Sequence, residues 1–432
     1  MALKTDLFYY TSASREESPW LLRQCLTLLA VLLLSLFFYF PLGCAVSASS
    51  SVGSSQQSSQ AATSTGMVRP EFFGMVVKSV AHVPSVETGS RRLWDCGVTW
   101  AAVEPVQGSF RWATLDAEVA AAQAAGAEVT LTLGMTPTWA SSQPTSPSTY
   151  GAGATAMPAQ MADWDAYVRA VATRYQGRIQ AYEVWNAPSD PLYWSGAPAQ
   201  VGTDMATLSA HVAAVVRAVD SQATIVSPAL KASDLQQFLS AGGSSSVDAV
   251  GVAVSLAGQA PEVVPAGVGA IRSVLEGTSA ETKPLWNDQP SWTLGRAGPS
   301  AADQAGYVAR ALVLNAAYGV SRVAWYAWDE NVDAALRLTD TNGQPTAAGL
   351  AYGVMEGWLS GATINGCSST AEQVWMCQVV RGGRPAWIVW SAGAAVQASA
   401  MGMLTVTDLG GTEQAVGVSG SVLVGGSPML LQ

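Results

Sequence analysis

The chain has 432 residues, 49% of them apolar, enough for two domains or one large barrel with an appendage and a sizeable core. Twenty-one basic residues against 31 acidic ones give a net charge of −10. No basic patch stands out, which speaks against nucleic acid or a polybasic membrane surface as partner.

In chain order, the first element is a targeting segment. Cys25 to Phe40 is an unbroken run of apolar or small residues, preceded by Arg23 and followed by no basic residue until Arg69. That asymmetry places the N-terminus in the cytoplasm and the rest outside. Ala45-Val46-Ser47-Ala48 offers small residues for a signal peptidase. Residues 1–48 therefore read as a signal peptide or a retained membrane anchor, and the only membrane contact expected runs through them. Pro41-Leu42-Gly43-Cys44 also resembles a lipobox, with Pro41 in place of the usual leucine. The chain is expected outside the cytoplasm, extracellular or periplasmic. Residues 49–69 are a Ser/Gln/Thr-rich linker.

From residue 70 short apolar runs alternate with amphipathic stretches, which predicts βα units and a parallel sheet. Strands are expected at 72–77, 91–94, 129–133, 179–185, 224–227, 249–254, 284–287 and 323–327, and helices at 113–125, 161–175, 205–219, 302–317 and 347–359. Eight strands over about 290 residues fit a (β/α)8 TIM barrel, residues 70–359. Beyond it the helical period stops. Runs at 374–380, 386–390, 404–406 and 422–424 between Gly-rich turns predict a small antiparallel β-sandwich-like domain, 360–432. Cys367 and Cys377 flank a turn-like stretch within it, placed for a disulfide across a hairpin. Cys96 reads as a buried structural thiol.

A barrel of this kind works at the C-terminal ends of its strands. Those ends read Trp94-Asp95, Thr136-Pro137-Thr138-Trp139, Glu183-Val184-Trp185-Asn186-Ala187-Pro188, Trp286-Asn287-Asp288-Gln289 and Trp325-Tyr326-Ala327-Trp328-Asp329-Glu330. Indole faces stack on sugar rings and amides bond hydroxyls, so Trp139, Trp185, Asn186, Gln289, Trp325, Tyr326 and Trp328, with His82 after strand one, are candidate sugar contacts. His211, on a helix near Leu208, Val212 and Val215, reads as packing. Two separate histidines and no cysteine cluster give no metal site, and neither a phosphate-binding loop nor a nucleophile elbow is apparent, so no cofactor is expected.

The spaced pattern of Arg92-Leu93-Trp94-Asp95, Trp100, Val103-Glu104-Pro105, Gly108, Trp112, Leu115-Asp116, Pro137-Thr138-Trp139, Tyr182-Glu183-Val184-Trp185-Asn186, Gln304-Ala305, Arg310 and Trp325-Tyr326-Ala327-Trp328-Asp329 resembles clan A glycoside hydrolases, nearest to family 39 and its bacterial relatives. The resemblance covers roughly residues 70–360. It implies a retaining mechanism on an oligo- or polysaccharide, with two carboxyl groups about 5–5.5 Å apart. It also implies an acid/base glutamate between the Asn and Pro that end strand four, where this chain has Ala187. By spacing, the implied nucleophile position is Gln289. A His–Tyr pair implied on strand six falls at Ala253 and Ser255. Alanine has no proton to give, and an amide cannot form the glycosyl ester. Asn186 is retained. Glu183 is structural by the resemblance.

Three readings follow. The first is a carbohydrate-binding pseudo-glycosidase. The second is an active retaining hydrolase with relocated carboxylates, drawn from Asp95, Asp288, Asp329 and Glu330, with Asp190 also near the mouth; strand alternation is expected to point Asp288 away from the barrel axis. The third is a structural or partner-binding barrel whose mouth is filled by a loop such as 141–157.

Overall fold

The computed structural model describes residues 66–254, 256, 258–292, 299–330, 337–417 and 420–432, all within one compact unit. The expected targeting segment 1–48 and linker residues 49–65 lie outside the described residues, as does Ser255. Among the described residues no helix is long and apolar enough to cross a membrane.

Eight parallel strands form the barrel: β1 (Phe73–Met75), β2 (Ser90–Leu93), β3 (Glu128–Leu133), β4 (Ala181–Val184), β5 (Thr224–Val226), β6 (Val250–Val252), β7 (Leu285–Asn287) and β8 (Val320–Trp325). Their order is β5-β4-β3-β2-β1-β8-β7-β6, and two parallel bridges, Val226 to Ala249 and Leu230 to Val252, draw β5 and β6 together. The (β/α)8 barrel and the antiparallel C-terminal sheet expected from the sequence are both present. Strand β8 begins three residues earlier than its apolar run, because polar Arg322 is an inward residue whose guanidinium stacks on the Trp286 ring at 4.1 Å.

The helices α1 (Ala113–Ala124), α2 (Met161–Arg174), α3 (Val201–Val219), α4 (Ala232–Ser240), α5 (Val264–Leu275), α6 (Gln304–Ala317) and α7 (Ala347–Leu359) ring the barrel. Each buries one stripe. In α2 that stripe is Trp164, Tyr167, Val168, Val171 and Ala172. α7 starts where the Thr346 hydroxyl accepts a hydrogen bond from the Gly349 amide at 3.3 Å. The sequence reading missed α4 and α5. In α5 a proline and two glycines obscure a buried row of Val264, Val268, Ile271 and Leu275.

The C-terminal sheet runs β14 (Glu413–Ala415), β13 (Thr405–Thr407), β16 (Met429–Leu431), β11 (Arg384–Ser391), β10 (Val374–Arg381), β9 (Thr363–Ser369), and β12 (Val396–Ser399) pairs with β15 (Ser421–Val424). β9 was not expected, because its sequence TINGCSS lacks clean alternation. Cys367 on β9 lies directly opposite Cys377 on β10 and the two form a disulfide. The sheet meets the barrel through Glu262, which accepts from Trp390 Nε1 at 2.7 Å and from Arg310 at 3.1 Å. Replacing both cysteines by serine is expected to lower stability by about 2–3 kcal/mol, read from denaturant unfolding. An unchanged midpoint would mean the bridge constrains little.

Candidate functional site at the barrel mouth

The inward residues build two levels inside the barrel. The lower one packs Ala181, Val226, Ala249 and Trp286 together. Arg322 lies beside it, ion-paired to Glu128 and 3.4 Å from the Thr130 hydroxyl. The upper level is polar. Arg92, 2% exposed, donates from Nε to Glu183 Oε2 at 2.6 Å and from Nη2 to Glu183 Oε1 at 2.8 Å, and its Nη2 also reaches Asn186 Oδ1 at 2.8 Å. The Thr132 hydroxyl donates to the same carboxylate at 2.5 Å. Burial alone would lower the Arg92 pKa, but the charge and hydrogen bonds of Glu183 more than reverse that.

Asp288 enters this level, which corrects the expectation that alternation turns it away. Trp286 points inward. Asn287 points outward, its Nδ2 donating to Asn315 Oδ1 on α6 at 2.9 Å. Asp288, next in line, is therefore inward again, within the fields of Glu183 and Arg92. Gly251 makes room for it: a Cβ there would stand 2.5 Å from Asp288 Oδ2. Burial, then the Glu183 charge, push the Asp288 carboxyl well above the usual range and favour its neutral form. Gln289 is half-buried beside it.

Above lies a charged knot. Lys78, three residues beyond the β1 end, donates from Nζ to Asp95 Oδ2 at 2.5 Å and to Tyr326 Oη at 3.2 Å, and stands 3.4 Å from Glu330 Oε2. Tyr326 Oη bonds both carboxylates, at 2.8 Å to Asp95 and 2.5 Å to Glu330. Burial lowers the Lys78 pKa, but Asp95 and then Glu330 bring it out above its ordinary value. The Tyr326 hydroxyl is pushed up by burial and by the same two acids, so it stays a donor. Next to the knot, Asp329 accepts from the Lys78 amide at 2.6 Å and pairs with His82 Nδ1 at 2.8 Å.

Of the residues expected to touch sugar, Trp185, Asn186, Trp325, Tyr326 and Trp328 are all 6% exposed or less. Trp185 packs edge-on against Trp194, and Trp325 against Trp292. Trp139 joins Trp100, its Nε1 donating to the Glu104 carbonyl at 2.9 Å. Trp185, Trp325 and Trp328 present no open face for stacking, whereas Trp139 is half-buried. Partly exposed aromatics at the mouth are Tyr150, from loop 141–157, and Tyr193; their hydroxyls bond each other and their rings lean on Trp94. Ala187 is half-buried, with its backbone in the left-handed region at φ 41°. Ala253 is exposed, and so is Asp190, which accepts from the Leu192 amide. His211 is not packed inside α3 but pairs with Asp165 of α2 at 2.8 Å, both side chains about a third exposed.

Lys78, Tyr150 and Tyr193 escaped the sequence reading. A lysine at the end of an otherwise apolar strand, Met75-Val76-Val77-Lys78, was the available signal for the first. The tyrosines sit in long connections that carry no period.

Glu183→Leu strands the buried Arg92 charge and is expected to cost about 3–5 kcal/mol in denaturant unfolding. Lys78→Met leaves Asp95 and Glu330 facing each other and is expected to cost about 2–4 kcal/mol at pH 7. Adding Asp95→Asn and Glu330→Gln should recover most of that loss. An undiminished loss would show that Lys78 acts by packing alone.

Residues 96–214 match the glycosyl hydrolase family 10 model. No curated protein matches the chain. Among solved structures, it is similar to a family 39 glycoside hydrolase from the gut symbiont Bacteroides cellulosilyticus WH2, with 16% identity, 84% of this chain and 81% of that one covered, and a TM-score of 0.66. A GH39 beta-xylosidase from Caulobacter crescentus gives 16% identity, coverage of 85% and 97%, and 0.63. A xyloglucanase of family 44 from Paenibacillus polymyxa gives 12%, 85% and 97%, and 0.58. The chain thus has the barrel fold of clan A glycoside hydrolases, and over residues 96–214 it also carries a sequence signature of that group.

Proposed function

We propose that this chain is an exported, glycoside-hydrolase-like protein that binds an oligo- or polysaccharide at the barrel mouth and has lost, or nearly lost, the power to cleave it. The observation that carries the binding half is a set of buried polar atoms around the upper level: Arg92 Nη1, Asn186 Nδ2, Asp95 Oδ1 and Asp288 Oδ2 have no hydrogen-bond partner among the described residues. Two are donors and two are on carboxyl groups, the mixture that the hydroxyls of a sugar satisfy.

Chemistry argues for the second half. Retaining cleavage needs one carboxyl ready to give a proton and one carboxylate free to attack. Glu183 is spent on Arg92 and Thr132, Asp95 and Glu330 on Lys78 and Tyr326, and Asp329 on His82. Asp288 is 3% exposed and favours its neutral form. Ala187 supplies no acid, a loss worth about 10²–10⁴-fold in rate.

A second reading, an active hydrolase with relocated carboxylates, is favoured by one feature. Asp95 and Glu330 share the Tyr326 hydroxyl and so face each other closely. Lys78 between them weighs against it, because a carboxylate held by an ammonium is a poor nucleophile.

The test is binding and hydrolysis by the full-length protein on one panel of aryl glycosides and plant and bacterial polysaccharides. Binding without turnover is expected, weakened about tenfold or more by Asn186→Ala, the loss of roughly one to two hydrogen bonds. Turnover abolished by Asp95→Asn or Glu330→Gln would establish the second reading. Neither binding nor turnover would leave a barrel that serves a protein partner or a structural role.

A further inference from the structure

Trp94 follows β2 directly, and the alternation that turns Arg92 to the barrel axis turns Trp94 the same way, one layer higher. It is 1% exposed, and two half-buried tyrosines lean on it, Tyr150 at 6.0 Å and Tyr193 at 6.3 Å between ring centroids. The tyrosine rings are 5.7 Å apart and their hydroxyls share a hydrogen bond. The charges of Asp95 and Glu330 reach Tyr150, and those of Asp95 and Arg92 reach Tyr193, so the pair lies over the polar layer as well as over the indole.

The two tyrosines are held differently. Tyr193 is fixed, its carbonyl accepting from Trp185 Nε1 at 2.9 Å and its amide donating to the Asp190 carbonyl at 2.9 Å. Tyr150 sits at the tip of loop 141–157. The amides of Ser146, Tyr150 and Gly151 bond to Gln143, to the Ser148 hydroxyl and to the Ser148 carbonyl, all within the loop. The hydrogen bond that joins this tip to another described element is the one to Tyr193. Gly151, next in the chain, stands at φ 108° with nothing within 4 Å of the place of a Cβ, so the backbone has room to turn there.

We propose, on the footing of the sugar binding set out above, that Trp94 is the stacking surface for a sugar in this mouth and that Tyr150 is a latch that covers it until a ligand displaces it. With the latch closed, Trp94 is shut off from solvent. With Tyr150 swung out at Gly151 and Tyr193 left as a wall, one indole face opens beside Asp95, whose Oδ1 has no partner among the described residues. The C–H face of a sugar ring and one of its hydroxyls are then met together. The knot below sets two carboxylates, Asp95 and Glu330, against the Lys78 ammonium, which favours an uncharged sugar over a uronic acid. One neutral hydrogen bond and the ring contacts hold the latch, a tie weak enough for a ligand to break. Apparent affinity is the open-state affinity reduced by the open fraction, so loosening the latch strengthens binding.

The test is hydroxyl-radical footprinting of the full-length protein, read by mass spectrometry at Trp94, Tyr150 and Trp325, with binding of neutral xylo- and gluco-oligosaccharides measured alongside. Tyr150→Phe keeps the ring and removes the hydroxyl bond. Trp94 oxidation should rise in this variant by about twofold or more while Trp325 stays protected, and binding should strengthen about fivefold. In the unsubstituted protein, added oligosaccharide should raise the oxidation of Tyr150 and keep that of Trp94 low. Trp94→Leu should weaken binding about tenfold or more, with Trp325 still protected as the sign of an intact barrel. Trp94 oxidation unmoved by Tyr150→Phe, weaker binding by that variant, or Tyr150 shielded by the sugar would overturn the latch, and these readouts decide it even if Trp94→Leu does not fold. Sugar binding indifferent to Trp94→Leu would overturn the stacking role and leave the binding reading standing, whereas no binding by either the unsubstituted protein or Tyr150→Phe would end both.

Discussion

The ion pair between Arg92 and Glu183 is the constraint on which the rest of the barrel mouth depends. Both side chains are removed from water, so the cost of stripping two charges of their hydration is offset only by near-ideal geometry and by partners for the remaining polar atoms. The bidentate contact, the Thr132 hydroxyl and the Asn186 carbonyl provide that. Once Glu183 holds the negative charge of this layer, Asp288 faces an occupied field and is driven toward its neutral form. Asn186 is fixed by the same guanidinium, which leaves its amide nitrogen directed elsewhere.

The second consequence concerns reactivity. A hydrolytic site keeps its carboxyl groups exposed to substrate and sets their pKa values apart. This mouth ties its acids to its own cations: Lys78 spans Asp95 and Glu330, and His82 holds Asp329. Each such contact occupies a carboxylate that an attack on substrate would need free. The aromatics tell a matching story. Four aromatic residues predicted as contacts, Trp185, Trp325, Tyr326 and Trp328, are buried, and Tyr150 and Tyr193 stand at the opening instead. A barrel that stabilises its mouth in this way suits holding a ligand more than transforming one.

The two adjacent arginines show how local sequence and tertiary context divide the work. Arg91 and Arg92 are identical in type and neighbours on one strand. Alternation sends one to the axis, where Glu183 meets it with both oxygens, and the other to the helix layer, where Glu118 does not reach it. Glu118 was visible in principle, since it interrupts the apolar row Leu115, Val119 and Ala122 on α1. Nothing in the linear order, however, sets the gap between that carboxylate and Arg91.

By itself the sequence determined the (β/α)8 barrel and the antiparallel sheet after it, because apolar runs of strand length alternating with amphipathic stretches bury their surface economically in that one way. It also showed which strand ends carry aromatics and acids, and that Ala187 stands between Asn186 and Pro188, since these are properties of order along the chain. It did not show that Asp288 turns inward, that Lys78 binds two acids from the strands flanking its own, or that Trp185, Trp325 and Trp328 are sealed. Those outcomes were decided by the tertiary structure. Side-chain direction depends on where each strand's alternation begins, and exposure depends on loops and neighbours that arrive from elsewhere in the chain.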